Sequence, residues 1–257
     1  MSLCRRIEWR QWLEVRGMRL ENALAGAADW AEFGFAMLLF LGSHVFAAMP
    51  RLRNAAIEKL GAVPYRTLYS LLSMALLVWL IRAAARAPYI PLWEIAEWQF
   101  LVPHLAMPVV CLLIAFGTAV PNPFSLGGRK AGFAPQSPGI AGFSRHPLLW
   151  GLAIWAMAHL FPNGDLAHVI LFGLFASYAI AGTIMFDRRR QKEMGLVAWQ
   201  LRAAHTSNFP GVAFCTGRWR PRLSALNPIR LGTAALFYVA LLALHQQVIG
   251  VSPWAFG

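Results

Sequence analysis

Residues 144–165 read Ser-Arg-His-Pro-Leu-Leu-Trp-Gly-Leu-Ala-Ile-Trp-Ala-Met-Ala-His-Leu-Phe-Pro-Asn-Gly-Asp. Pro147 suits the first position of a helix, where its missing N–H costs nothing. About four apolar turns follow, interrupted by His159 alone. Phe161-Pro162-Asn163-Gly164-Asp165 then stops the helix with a proline and an Asn-Gly turn. One histidine, His146, stands at the mouth of this helix and another, His159, near its far end. An ionisable group inside an apolar helix is by default a functional-site hypothesis.

Working outward, similar apolar stretches recur. They cover about 33–49, 68–85, 100–120, 146–161, 166–186 and 231–249. The chain of 257 residues is 58% hydrophobic and 13% charged, where soluble domains carry about 25% charged residues. Together these features predict an all-α, polytopic membrane helix bundle of about six transmembrane helices. Pro103 and Pro108 predict an irregular start or a kink in the third span. Residues 1–31, with five Arg and four acids, read as an N-terminal extension, either a surface helix or disordered. Residues 32–257 read as the transmembrane domain. Residues 190–204 read as a short amphipathic surface helix. No apolar core of a cleavable signal peptide is evident in the first 30 residues. Cys4, Cys111 and Cys215 lie far apart without a CxxC spacing, which speaks against a thiolate metal site or a disulfide framework.

The net charge of +12 would suit nucleic acid, but the charges cluster in loops between apolar spans. The positive-inside rule accounts for them, so no nucleic-acid partner is expected. The loops after the first, third and fifth spans hold 4, 3 and 9 Lys or Arg, and the remaining connections only Arg82 and Arg86. That asymmetry places the large basic loops in the cytoplasm and the C-terminus outside, with a bacterial inner membrane as the expected location. The lipid bilayer is the expected partner, with a hydrophobic small molecule as substrate.

Depth counting singles out two histidines. His44 lies ~17 Å into the first span and His159 ~20 Å into the fourth, counted from opposite sides. Two imidazoles near one level on different helices can ligate a haem iron from both faces, and a haem b site needs little more than that and an aromatic, apolar slot. Gly151, Trp155 and His159 recur at i, i+4 and i+8, so Gly151 and Trp155 are candidate walls for the porphyrin. A blander reading has Gly151 serving close helix packing and Trp155 facing lipid. His104 and His245 are competing ligands, whereas His168 and His205 read as interface or loop residues. Arg145 and His146 are the candidate mouth for a substrate or anion at the helix N-terminus. Asp187 with the following arginines reads as a basic stop at the membrane face.

Arg145-His146-Pro147, Trp150-Gly151, Trp155, Ala158-His159-Leu160 and Asn163-Gly164-Asp165 together resemble the NnrU family of bacterial membrane proteins, which looks related to plant zeta-carotene isomerase. Gly42-Ser43-His44, Pro121-Asn122-Pro123 and Asp187-Arg188-Arg189 add to the likeness, which extends loosely over about 35–250. The resemblance implies a haem-b membrane protein with His44 and His159 as iron ligands and catalytic residues, and with His146 important without being a ligand. It implies cis–trans isomerisation of a polyene such as zeta-carotene, or a part in nitric oxide and denitrification metabolism. Two other readings stay open. Arg145-His146-Pro147 with Gly151 also resembles membrane methyltransferases that use S-adenosylmethionine, although the later paired glutamates are missing. A non-catalytic membrane partner is the third.

Overall fold

The computed structural model describes residues 3–129, 131–222 and 226–254, with side chains described for all of these except 3–23 and 48. Among the described residues the chain forms ten helices and no strand, only two isolated bridges. Five helices are long and apolar enough to cross a membrane: Leu24–Ala47, Ala62–Arg86, Glu97–Gly117, Leu166–Met194 and Pro228–Ile249. The architecture is a polytopic helical membrane bundle. It sorts into two compact units, Met1–Pro91 with Asp165–Leu171, and Leu92–Gly164 with Phe172–Gly257.

In the first unit α1 (Leu3–Ala48) packs along α3 (Ala62–Arg86), joined by α2 (Pro50–Leu60). The backbone of residues 3–31 is helical and continuous with the first span in α1; the surface placement expected of 1–31 rests largely on side chains outside those described. The basic stretch after the first span is helical rather than a loop. Pro50 occupies a first-turn position of α2, Lys59 lies in its last turn, and none of its residues is buried. A proline start and a basic end both suit the orphan groups and dipole of a helix. Glu32 on α1 accepts from Trp79 Nε1 at 2.7 Å and Arg86 Nη2 at 2.5 Å on α3, so an intramembrane carboxylate has its partners.

The second unit is built round α6 (Pro147–Leu160), which packs between α4 (Glu97–Gly117) and α7 (Leu166–Met194). The helix boundaries of α6 follow the sequence: Pro147 opens it, and Asn163 Nδ2 donates to His159 O at 2.8 Å beyond its end. The reading of 146–161, the expected fourth span, as a full crossing needs correction, however. Fourteen residues reach about 21 Å, short of the ~30 Å hydrocarbon core. Leu149, Trp150, Gly151, Ala153, Ala156 and Ala158 are buried, as befits a core helix. Gly117 ends α4 directly against Pro147, where a Cβ would come within 2.6 Å of the proline ring.

Pro103 and Pro108 lie inside one continuous α4. Pro108 cannot donate to His104 O, and that carbonyl instead accepts from Tyr238 Oη of α10 (Pro228–Ile249) at 3.3 Å. A neighbouring helix thus satisfies the group that proline frees. The Asn-Gly turn after α6 is equally built by distant residues. Leu92 N donates to Gly164 O at 2.7 Å, and Trp93 Nε1 donates to Phe161 O at 3.2 Å. The surface helix expected over 190–204 is present as α8 (Leu196–Ala203), separated from the longer α7 by Gly195 at φ 80°. The described cysteines, Cys111 and Cys215, are free thiols.

Candidate functional site

Two constellations emerge, one aromatic and one polar. The aromatic one centres on His159. Its Nδ1 lies 2.7 Å from Trp155 O, one turn back. A carbonyl only accepts, so Nδ1 carries the proton and Nε2 carries the lone pair. Trp155 and Phe172 lie against the imidazole with ring centroids 5.4 and 5.5 Å away, and Phe175 stacks on Trp155 at 6.1 Å. Between His146 and Gly164 the sequence has no charged residue other than these histidines. The helix that carries His159 is therefore free of acids, lysines and arginines.

His44 repeats the pattern in the first unit. Its Nδ1 lies 2.8 Å from Phe40 O, again one turn back, which fixes the same tautomer. Phe40 lies 4.4 Å and Tyr69 6.0 Å from its ring centroid. His44 and His159 belong to different units, and each half is described in its own.

Gly151 does not share the face of Trp155 and His159. A Cβ there would touch Val110, Leu113 and Ile114 of α4 at 3.8 Å. Eight residues of helix turn through about 800°, an offset of about 80°. Gly151 accordingly serves helix packing, whereas the half-buried Trp155 packs on Phe172 and Phe175.

The competing histidines have other partners. His104 Nε2 lies 3.0 Å from Pro253 O, and Trp254 stacks on its ring at 4.5 Å. His245 Nδ1 lies 2.8 Å from Val251 O, but no aromatic ring packs on it among the described residues. His168 pairs with Asp165, whose Oδ1 also accepts from the His168 backbone N and caps α7. His205 Nδ1 meets Arg218 O.

The polar constellation replaces the expected surface mouth. His146 is completely buried and Arg145 only 8% exposed. Arg145 Nε and Nη2 grip the Asp187 carboxylate at 3.0 and 2.6 Å, and His146 Nε2 lies 2.9 Å from Asp187 Oδ1. Asn208 Nδ2 donates to Asp187 Oδ2 at 3.0 Å. Thr206 Oγ1 accepts from Arg145 at 3.1 Å, and the indole of Trp199 lies 5.1 Å from the guanidinium carbon. Asn122, also fully buried, donates to Arg145 O at 3.0 Å and accepts from Phe124 N. With Nε2 turned to Asp187, the buried Nδ1 of His146 has no hydrogen-bond partner among the described residues.

Desolvation explains this closure. A buried guanidinium is costly unless paired and hydrogen-bonded, and here each of the three nitrogens donates, to Asp187 or Thr206. The residues that sequence reasoning missed are Asp187, Thr206, Asn208 and Asn122. Their signal was faint: a lone acid ahead of three arginines, a turn-like Thr-Ser-Asn, and an Asn between two prolines. Among the described residues no group of three or more His, Cys, Asp or Glu converges to hold a metal.

Comparison with known proteins agrees with the membrane architecture. The family model described as NnrU protein matches residues 32–253. A maize protein named 15-cis-zeta-carotene isomerase, chloroplastic, is 26% identical over 208 residues, which cover 79% of this chain and 56% of that protein. The chain therefore spans little more than half the length of this relative. No solved structure matches.

Proposed function

Because this chain belongs to the NnrU family, we propose that it is a membrane-embedded isomerase of a polyene lipid. In this reading His44 and His159 would ligate the iron of a haem b. The observation that carries it is the matched pair of imidazoles, each with Nδ1 tied to the carbonyl one turn back and each in an aromatic, apolar setting. Nδ1–H donation to a carbonyl is the second-sphere bond that fixes a metal-binding histidine and raises the basicity of Nε2. A haem iron asks the protein for no more than axial ligands and an apolar slot, so the residues present fit it.

When bound, such a haem supplies an iron centre whose electrons can interact with a conjugated chain and lower the barrier to rotation about a double bond. The chain's own residues hold and desolvate. Phe40 O and Trp155 O orient the two imidazoles. Trp155, Phe172 and Phe175 form a dry wall that suits a flat, apolar ligand. Cis–trans isomerisation moves no proton and has no leaving group, so the apolar setting needs no general acid or base. The relationship to a zeta-carotene isomerase points to the same substrate class. The basic segments are assigned to the cytoplasmic face on the charge asymmetry.

The test is spectroscopic. Protein purified in mild detergent, after expression with ample haem precursor, is expected to show a Soret band that shifts on reduction. His44→Ala and His159→Ala should each diminish or alter it, and His104→Ala should not. Haem-free protein would sink the proposal, and loss of the band in His245→Ala instead of His159→Ala would reassign the ligand. Co-expression with a poly-cis polyene, read by chromatography of isomers, then tests the isomerase itself.

A further inference from the structure

A groove of about 630 Å³ runs between the C-terminal half of α4 and the N-terminal half of α10. Ile114, Ala115, Ala234 and Phe237 make its floor and walls, and Thr118 and Arg230 stand at its polar end. Among the described residues helix α10 buries only Ala234, and its main packing is on α4. The groove is therefore a gap in the packing between α4 and α10.

Charge decides what fits it. Arg230 Nη1 donates to Ala115 O and, at 3.0 Å, to Thr118 O, the closing carbonyls of α4. No acid pairs with it among the described residues. Nor could one easily do so: from Met194 to Gly257 the sequence has five Arg and no Asp or Glu. The remaining acids of this unit are committed or remote. Asp187 is held by Arg145 and His146, and Glu193 by Arg189 and Arg190. Glu94 and Glu97 belong to the opposite end of α4, which at 21 residues is about 30 Å long. Arg230 stands in the first turn of α10, where the span meets the membrane surface, and basic pockets between transmembrane helices at that level are seats of anionic lipid headgroups.

We propose that the α4–α10 groove binds one anionic phospholipid, its phosphate on the Arg230 guanidinium and an acyl chain along Ile114, Ala234 and Phe237. The volume lies in the range of small-molecule pockets, and the lipid would fill the gap that leaves α10 so thinly attached. The site is separate from His159 and does not depend on the haem reading.

The experiment is native mass spectrometry of the full chain, released from detergent containing equal phosphatidylglycerol and phosphatidylcholine. Wild-type protein is expected to retain one phosphatidylglycerol in preference to phosphatidylcholine. Arg230→Gln should weaken that preference about fivefold, the worth of one basic residue near a membrane surface, and Arg230→Lys should keep most of it. Thr233→Trp, at an exposed position lining the groove, should block retention while leaving Arg230 in place. If Arg230→Gln fails to fold, Thr233→Trp decides the matter. Equal retention of the two lipids by the wild type, or a preference unchanged in both Arg230→Gln and Thr233→Trp, would overturn the proposal.

Discussion

Asp187→Ala is the most informative perturbation of the polar constellation. The Asp187 carboxylate accepts from Arg145, His146 and Asn208, and the residue is only 8% exposed. Its removal leaves the Arg145 guanidinium with Thr206 Oγ1 and the face of Trp199 as its remaining side-chain partners. Breaking a buried pair from one side costs about 3–5 kcal/mol, because the other charge stays desolvated and unpaired. Glu193 is the internal control. It too meets two arginines, at 2.8 and 2.5 Å, but its side chain is 37% exposed, so Glu193→Ala should cost about 1 kcal/mol or less. The assay is SDS-titrated unfolding in mixed micelles, followed by tryptophan fluorescence. A double variant, Arg145→Met with Asp187→Leu, should recover part of the loss, since apolar residues of similar size replace a buried ion pair at little cost. The reasoning is refuted if Asp187→Ala unfolds within about 1 kcal/mol of wild type. It is refuted equally if the double variant is as unstable as the two single changes combined.

Other outcomes follow from the same geometry. Asn122→Ala should destabilise by about 1–3 kcal/mol in the same assay, since the buried Arg145 O and Phe124 N each lose a partner. Gly151→Ala should be close to neutral, because its Cβ meets α4 at 3.8 Å. Gly164→Ala should cost about 1–3 kcal/mol, because its Cβ would fall 2.7 Å from Trp93 O; equal costs for the two would contradict the packing described. The exposed thiol of Cys215 should react with a membrane-impermeant maleimide from the cytoplasmic side. In a Cys4→Ser background, labelling of intact cells from outside would reverse the orientation assigned to the basic segments.

Much of the fold was legible because its determinants are local. Pro147 and the Asn163-Gly164 turn bracket α6 as the sequence indicates. The surface helix α8 also appears within the stretch 190–204 read as one. Where reading failed, the missing information was a partner from elsewhere in the chain. Prolines 103 and 108 suggest a broken helix until Tyr238 is seen to take the freed carbonyl of His104. Arg51, Arg53 and Lys59 look like loop charges, yet they ride on α2. The apolar run 146–161 looks like a full span, but its length suits a buried core helix.

The candidate site divides in the same way. His159 and His44 were legible as rare ionisable groups in apolar spans, and Arg145-His146 as a polar helix entrance. The sequence by itself determined the membrane class, the apolar spans and the positions of these chemical groups, because composition and proline, glycine and charge placement act over a few residues. Only the tertiary structure decided what the groups do to one another. It turned the entrance into a sealed Arg145–Asp187–His146 cage, since the acid that a buried cation requires lies 42 residues further along the chain. It also turned Gly151 toward α4 and left His159 facing aromatic rings, because helical phase and the neighbour on each face, not spacing in the sequence, decide which side chains share a site.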